Sequence, residues 1–178
     1  KAWQSQTLAG AHQLYFSGAS AFPIGINDHL FAYVYLDPVN PPNEVMLQFN
    51  NGTWEHRAYW GANVLPWGVD GTVSRKYMGP LPALGQWVRL EVPASAVGVA
   101  GTSLNGMAFT LNNGRATWDR AGKVPAPAVA FAVSAGSGSE ATTTANLTVI
   151  LSAASALNIS VDYAVNPSAG SATNGAHH

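Results

Sequence analysis

The order of polar and apolar residues predicts an all-β chain folded as an antiparallel sandwich or barrel. Short runs in which apolar and polar side chains alternate recur along most of the sequence, which is the pattern of strands with one buried face. Clusters of Gly, Pro and Asn separate these runs, as turn residues do between the strands of sandwiches and barrels. Long stretches with apolar residues three and four apart, the mark of an amphipathic helix, are missing.

In chain order, the expected strands cover residues 12–17, 30–36, 45–50, 53–60, 74–78, 87–92, 104–111 and 115–120. Within 30–36, Leu30, Ala32, Val34 and Leu36 fall on one face, and Phe31, Tyr33 and Tyr35 on the other. Pro93 introduces one helical turn at 94–97, and residues 61–71, with Pro66 and Trp67, are expected at the rim. The clearest element is 44–60, EVMLQFNNGTWEHRAYW. Asn51-Gly52 between two alternating runs predicts a two-residue hairpin turn, because Asn-Gly adopts two positive φ values at little cost. That turn pairs Phe49 with Trp54, Leu47 with His56, Met46 with Arg57 and Val45 with Ala58. Val45, Leu47, Phe49, Trp54, His56, Ala58 and Trp60 then form the core face. Glu44, Met46, Gln48, Glu55, Arg57 and Tyr59 form a solvated or shallow binding face.

Composition narrows the function. The chain has 178 residues, 47% hydrophobic and only 10% charged, with a formal net charge of -1. A packed core is within reach, and solubility is carried by Asn, Ser, Thr and Gly. Without a basic stripe, nucleic-acid binding is not expected. Without about 18 consecutive apolar residues, neither is a membrane-spanning helix. There is no cysteine, so disulfides and thiol catalysis are excluded. His177 and His178 read as the remnant of a purification tag.

The composition shifts at Lys123. Residues 123–128 are Pro-rich and read as a stiff linker between a first domain at 1–122 and a second unit at 129–176. Strands are expected there at 129–134, 145–152 and 158–165. Three strands make a weak independent core, so the second unit reads as incomplete.

Residues 128–175, containing Glu140, the run Leu147-Thr148-Val149-Ile150-Leu151-Ser152 and Val161-Asp162-Tyr163-Ala164, resemble the first half of a Calx-beta domain. That family forms immunoglobulin-like sandwiches in extracellular and adhesive bacterial proteins. The first 122 residues resemble the galactose-binding-like jelly rolls that serve as carbohydrate-binding modules of secreted bacterial proteins. The resemblance is carried by FAYVYLDPVNPPNEVMLQFNNGTWEHRAYWG, SRKYMGPLPALGQWVRLEVPASAVG and LNGMAFTLNNGRATWDRAG. It implies a jelly-roll sandwich with non-catalytic glycan binding, followed by a partial immunoglobulin-like unit, outside the cell. Because His12-Gln13 comes so early, the opening strand of such a module is expected to be missing.

Nucleophile–base pairs and phosphate loops are not found, and His12, His29 and His56 lack metal-ligand spacing. His56 reads as a hydrogen-bonded core residue. Glu44 and Glu55 have the residue types of a glycosidase pair, but beside Arg57 they read as an ion-pair network. Aromatic side chains are the stronger candidates, since the apolar faces of sugar rings stack on them while amide and charged groups fix hydroxyls. Tyr33, Tyr35 and Tyr59, with Gln48, Glu55 and Arg57, are expected on one exposed sheet; the alternative is that the tyrosines pack against loops. Trp67 either contacts a ligand or anchors its loop. Asp37, Asn40 and Glu44 lie in a loop with the oxygen donors calcium wants, which suits a rigid turn equally. Asp119 is either a further ligand or a partner of Arg115 or Arg120.

These observations point to a polysaccharide-binding module with no enzymatic role and no required cofactor, calcium being a candidate. The competing expectation is a structural or adhesive subunit that self-associates through unpaired strand edges.

Overall fold

The computed structural model describes residues 2–134, 146–152 and 160–162. The chain divides into two compact units, Lys1–Ala126 and Pro127–His178.

The first unit is a β-sandwich. Its principal strands are β1 (Trp3–Gln4), β2 (Ala11–Phe16), β4 (His29–Leu36), β5 (Glu44–Asn50), β6 (Arg57–Gly61), β7 (Lys76–Gly79), β8 (Trp87–Pro93), β10 (Gly106–Asn112) and β11 (Ala116–Val124). A short ladder joins β3 (Phe22–Pro23) to β9 (Ser103–Leu104). One sheet has the order β1-β11-β4-β8 and the other β2-β10-β5-β6-β7. The chain crosses between the sheets at most connections, β5, β6 and β7 staying together in one, and the two strand orders are those of interlocked Greek keys, the jelly-roll order. All pairings in these two sheets are antiparallel except β6 with β7.

Alternation explains why the sheets face each other. Leu30, Ala32, Val34 and Leu36 of β4 meet Val45, Leu47 and Phe49 of β5, with Phe109 and Trp118 adding a ring contact across the sandwich, centroids 5.2 Å apart. Burying an apolar side chain of this size contributes about 1.5–3 kcal/mol, and the two inner faces supply most of such residues. The turn after Pro93 is a 3-10 helix over Ala94–Val97, closed by Gly98 with φ 71°.

Three expectations are corrected. Asn51-Gly52 is not a two-residue turn. Val45 pairs with Trp60, Met46 with Tyr59, Leu47 with Ala58 and Gln48 with Arg57, two residues away from the expected register. A slip of two keeps the side chains within β5 and β6 on their expected faces, because the period is two, but it leaves Trp54 in the connection and off the core face. The connection is longer because Asn50 turns its Oδ1 onto the Gly52 amide (2.7 Å) and His56 is held between the Val97 carbonyl (Nδ1, 2.7 Å) and Asn51 Oδ1 (Nε2, 2.9 Å). The chain does contain a tight Asn-Gly turn, at Asn113-Gly114, where both residues have positive φ (59° and 66°). There a Cβ on Gly114 would lie 2.5 Å from the Asn40 carbonyl oxygen, so only glycine fits.

Secondly, an opening strand exists. β1 lies at the sheet edge with Trp3 opposite Trp118. Thirdly, the last strand of the first unit ends later than expected. β11 runs on to Val124, pairing Lys123 with Leu30, and Lys123 Nζ reaches Asp28 Oδ2 at 2.7 Å. An Arg120 with φ 44° and a register shift between Asp119 and Ala121 mark a bulge midway, which hid the second half of this strand from the alternation pattern.

In the second unit, β12 (Val129–Phe131) and β13 (Val149–Leu151) pair antiparallel, Val129 with Leu151 and Phe131 with Val149. The expected strand at 158–165, Glu140, Tyr163 and the terminal histidines lie at least partly outside the described residues.

Candidate ligand-binding cleft

The outer face of the β2-β10-β5-β6 sheet is crossed by a row of paired residues: Tyr15 opposite Ala108, Ala108 opposite Gln48, and Gln48 opposite Arg57. Neighbouring strands are about 4.8 Å apart, so the row spans roughly 14 Å. Ala108 is its one small side chain and makes a depression in the middle. Two loops raise the walls. Trp54, from the β5–β6 connection, meets Tyr15 edge to face (6.1 Å, 88°). Trp67 comes from the segment 62–75, which folds back over the sheet. Together with Gln13 these residues line a cleft of about 330 Å³.

The floor is one hydrogen-bonded chain across four strands. Thr110 Oγ1 and Gln48 Nε2 both donate to Gln13 Oε1 (3.1 and 3.0 Å), and Gln48 Nε2 also donates to Thr110 Oγ1 (2.9 Å). Arg57 Nε donates to Gln48 Oε1 (2.9 Å), while its two terminal nitrogens grip both Glu55 oxygens at 3.0 Å and Nη1 also reaches the Ser74 carbonyl. A guanidinium has five N–H donors, and these contacts leave one on Nη2. The amide nitrogen of Gln13 has no protein partner among the described residues. The floor therefore fixes its own geometry and keeps a few donors for a ligand. The Arg57 fork holds the Glu55 carboxyl below its ordinary range.

The loop over the sheet is held by a buried ion pair. Glu44 is fully buried, accepts the Val64 and Leu65 amides (2.7 and 2.8 Å) and meets Arg75 Nη2 at 3.1 Å. Burial pushes its carboxyl up, against the pull of those amides and of Arg75. Arg75 also covers the ring of Tyr59, 4.8 Å from its centroid. Gly68 (φ 78°) lets the loop close, because a Cβ there would collide with the Ser74 carbonyl and crowd Arg57 Nη1.

Of the residues expected at a binding surface, Gln48, Arg57 and Trp67 line this cleft, and Glu55 is held at it by Arg57. The others are elsewhere. Tyr59 is buried beneath the loop, its hydroxyl donating to Asp70 Oδ1 at 2.8 Å, and burial raises its phenol. Tyr33 and Tyr35 sit on the outer face of the other sheet, since β4 pairs with β8 and β11. There Tyr35 tilts against Trp87 at 5.9 Å. The joint tyrosine patch expected from period 2 alone is thus split between two sheets. Glu44 and Arg57 are buried rather than solvated, because the folded-back loop and ion pairing compensate their polarity.

The expected calcium ligands are not brought together. Asp37 Oδ1 accepts the Val39 and Asn40 amides, and Oδ2 takes Arg115 Nε at 2.6 Å. The Val39 amide, with Arg115, keeps the Asp37 carboxyl low despite its burial. Glu44 belongs to Arg75, and Asp119 caps the Arg120 amide at 2.9 Å. Among the described residues no group of three or more His, Asp or Glu side chains is positioned to hold a metal.

Gln13, Tyr15, Trp54, Ala108 and Thr110 were missed as site residues. Alternation in β2 put Gln13 and Tyr15 on a common face, but nothing in the sequence said that β2 borders β10. Trp54 was assigned to the core by a turn that does not form. A second cavity, of about 300 Å³, opens beside Phe16, Phe22, Phe49 and Met107; its lining is mainly apolar, and Asn105 Oδ1 has no partner among the described residues.

Comparison of the chain with protein-family models, curated proteins and solved structures found no match. The fold and the cleft define the class: a jelly-roll sandwich with an aromatic-walled, amide-floored groove on one sheet. Among the described residues no helix is long and apolar enough to cross a membrane.

Proposed function

We propose that the first unit is a non-catalytic glycan-binding module, taking a stretch of polysaccharide across the cleft and attaching a larger secreted protein to it outside the cell. The observation that carries this reading is the pairing of aromatic walls (Tyr15, Trp54, Trp67) with a floor of ordered amide and guanidinium groups (Gln13, Gln48, Arg57). Rings suit the apolar faces of sugars, and ordered donors and acceptors suit hydroxyls. The carboxylates of this face, Glu44 and Glu55, are each held by an arginine, which suits binding rather than proton transfer. The resemblance of this unit to galactose-binding-like carbohydrate-binding modules, and of the second unit to the opening of a Calx-beta domain, supports the same reading.

Affinity is expected in the micromolar to millimolar range, about 4–8 kcal/mol, since hydroxyls exchange water for protein partners at small net gain. The test is affinity electrophoresis in gels containing soluble polysaccharides. Trp54→Ala and Trp67→Ala should each weaken retention by about 1 kcal/mol or more, measured below the melting temperature of each variant because Trp67 also packs on Met46, Tyr59 and Leu65. Retention equal to the parent in both variants would remove the cleft from the account.

A second reading, self-association through strand edges, is favoured by one observation. Val129, Phe131, Val149, Ile150 and Leu151 of the β12–β13 ladder are all exposed, and two apolar strands are marginal by themselves. A concentration-dependent rise in mass on sizing, lost in Phe131→Lys, would support it.

A further inference from the structure

We propose that Glu55 sets the charge preference of the cleft, restricting it to neutral glycans and turning away chains bearing carboxylates. This rests on the glycan-binding reading above and adds to it the class of ligand.

An arginine in an aromatic-walled cleft is ordinarily the residue that would take a ligand carboxylate, because its planar fork matches the two oxygens. Here the fork is already filled. Both Glu55 oxygens face the two terminal nitrogens of Arg57 at 3.0 Å, and Nε is committed to Gln48. What remains is one N–H on a guanidinium whose charge is matched, a donor suited to a hydroxyl. The arginine of the covering loop adds no free charge. Arg75 is spent on Glu44, and Asp70, carried by the same loop, brings a carboxylate that takes the Tyr59 hydroxyl and the Asn63 amide. A uronic acid entering the cleft would meet a filled fork and the Glu55 carboxylate, which is itself largely open to solvent, its side chain 61% exposed.

That exposure makes the inference testable without disturbing the fold. Glu55→Gln keeps the shape and an acceptor oxygen for Arg57 while removing the charge, so Arg57 recovers a net positive charge facing the cleft. Glu91→Gln is the control. Glu91 pairs with Arg89 at 2.5 Å on the opposite sheet, and its loss changes net charge by the same amount away from the cleft.

The experiment measures binding to matched neutral and carboxylated chains: galactan and polygalacturonate, mannan and polymannuronate, hydroxyethylcellulose and carboxymethylcellulose. The expected result is that the parent binds the neutral member of at least one pair and its acidic counterpart far more weakly. Glu55→Gln should retain the neutral ligand and bind the acidic one roughly tenfold tighter than the parent, with the gain erased by salt and absent in Glu91→Gln. An unchanged affinity for the acidic chain in Glu55→Gln, or a parent that prefers the acidic chain, would overturn the role of Glu55 while leaving glycan binding standing. If neither the parent nor Glu55→Gln binds any chain of any pair, the glycan reading falls and this inference with it.

Discussion

At the residue scale, the cleft depends on charges that are buried and paired. Glu44 and Arg57 sit in a sequence position that reads as a wet sheet face, and both are nearly inaccessible. For Glu44, polarity alone could not separate a solvated charge from a compensated one, because its compensating groups, Arg75 and the Val64 and Leu65 amides, are 20 to 31 residues away in the chain. The Glu44–Arg75 pair gives a direct check. Glu44→Gln leaves the Arg75 guanidinium, 3% exposed, without its counter-charge. Breaking one partner of a buried pair costs about 3 kcal/mol or more, so urea unfolding of Glu44→Gln should show a loss of that order. Replacing both, Glu44→Gln with Arg75→Met, should recover part of the loss, since no unpaired charge then stays buried. A Glu44→Gln variant as stable as the parent would mean that the pair contributes nothing to holding the loop.

At the element scale, most strands of the first unit were legible and their neighbours were not. Leu30, Ala32, Val34 and Leu36 alternate with Phe31, Tyr33 and Tyr35, and that is how β4 is buried. Which sheet β4 joins depends on long-range pairing with β8 and β11, which no local period encodes. The β3–β9 ladder is too short to show a period at all. The second unresolvable element was the segment 62–75, most of which reads as the rim loop 61–71 and which becomes a wall of the cleft. Its closure rests on glycine, and two of its glycines separate backbone conformation from space. Gly68 and Gly71 have similar φ, 78° and 82°, yet a Cβ at Gly68 would collide with the Ser74 carbonyl while one at Gly71 meets nothing within 4 Å. Gly71→Ala should cost about 1 kcal/mol, the strain of a left-handed alanine. Gly68→Ala should cost at least about 1 kcal/mol more and should shift Trp67 fluorescence as the loop lifts. Equal losses in the two variants would show that the loop has room to give.

At the scale of the whole molecule, acid should unfold the first unit, and the carboxylates say where. Asp28 is held low chiefly by Lys123, which reaches it from the end of β11, and Asp37 chiefly by the Val39 amide, with Arg115. Glu55 is lowered by Arg57. A carboxyl whose folded value lies below its unfolded value contributes stability that is complete above the unfolded value, near pH 4, and is lost as pH falls through the folded one. Glu44 runs the other way. Its folded value is raised by burial, so the cost of keeping it charged is relieved as pH falls toward the unfolded value. The two effects fall in different windows: above the unfolded carboxylate range only Glu44 changes its charge, so the melting temperature should hold or rise slightly as pH falls from neutrality, and below about pH 4 only the lowered groups Asp28, Asp37 and Glu55 act, so it should fall. Lys123→Met should flatten part of that fall, because Asp28 then loses its largest source of depression. The comparison is made by thermal melts of the parent and Lys123→Met at matched ionic strength across pH 2.5 to 7. Parallel curves for the two proteins would mean that the Lys123–Asp28 contact, which ties the end of β11 to the residue before β4, does not contribute to the acid sensitivity of the sandwich.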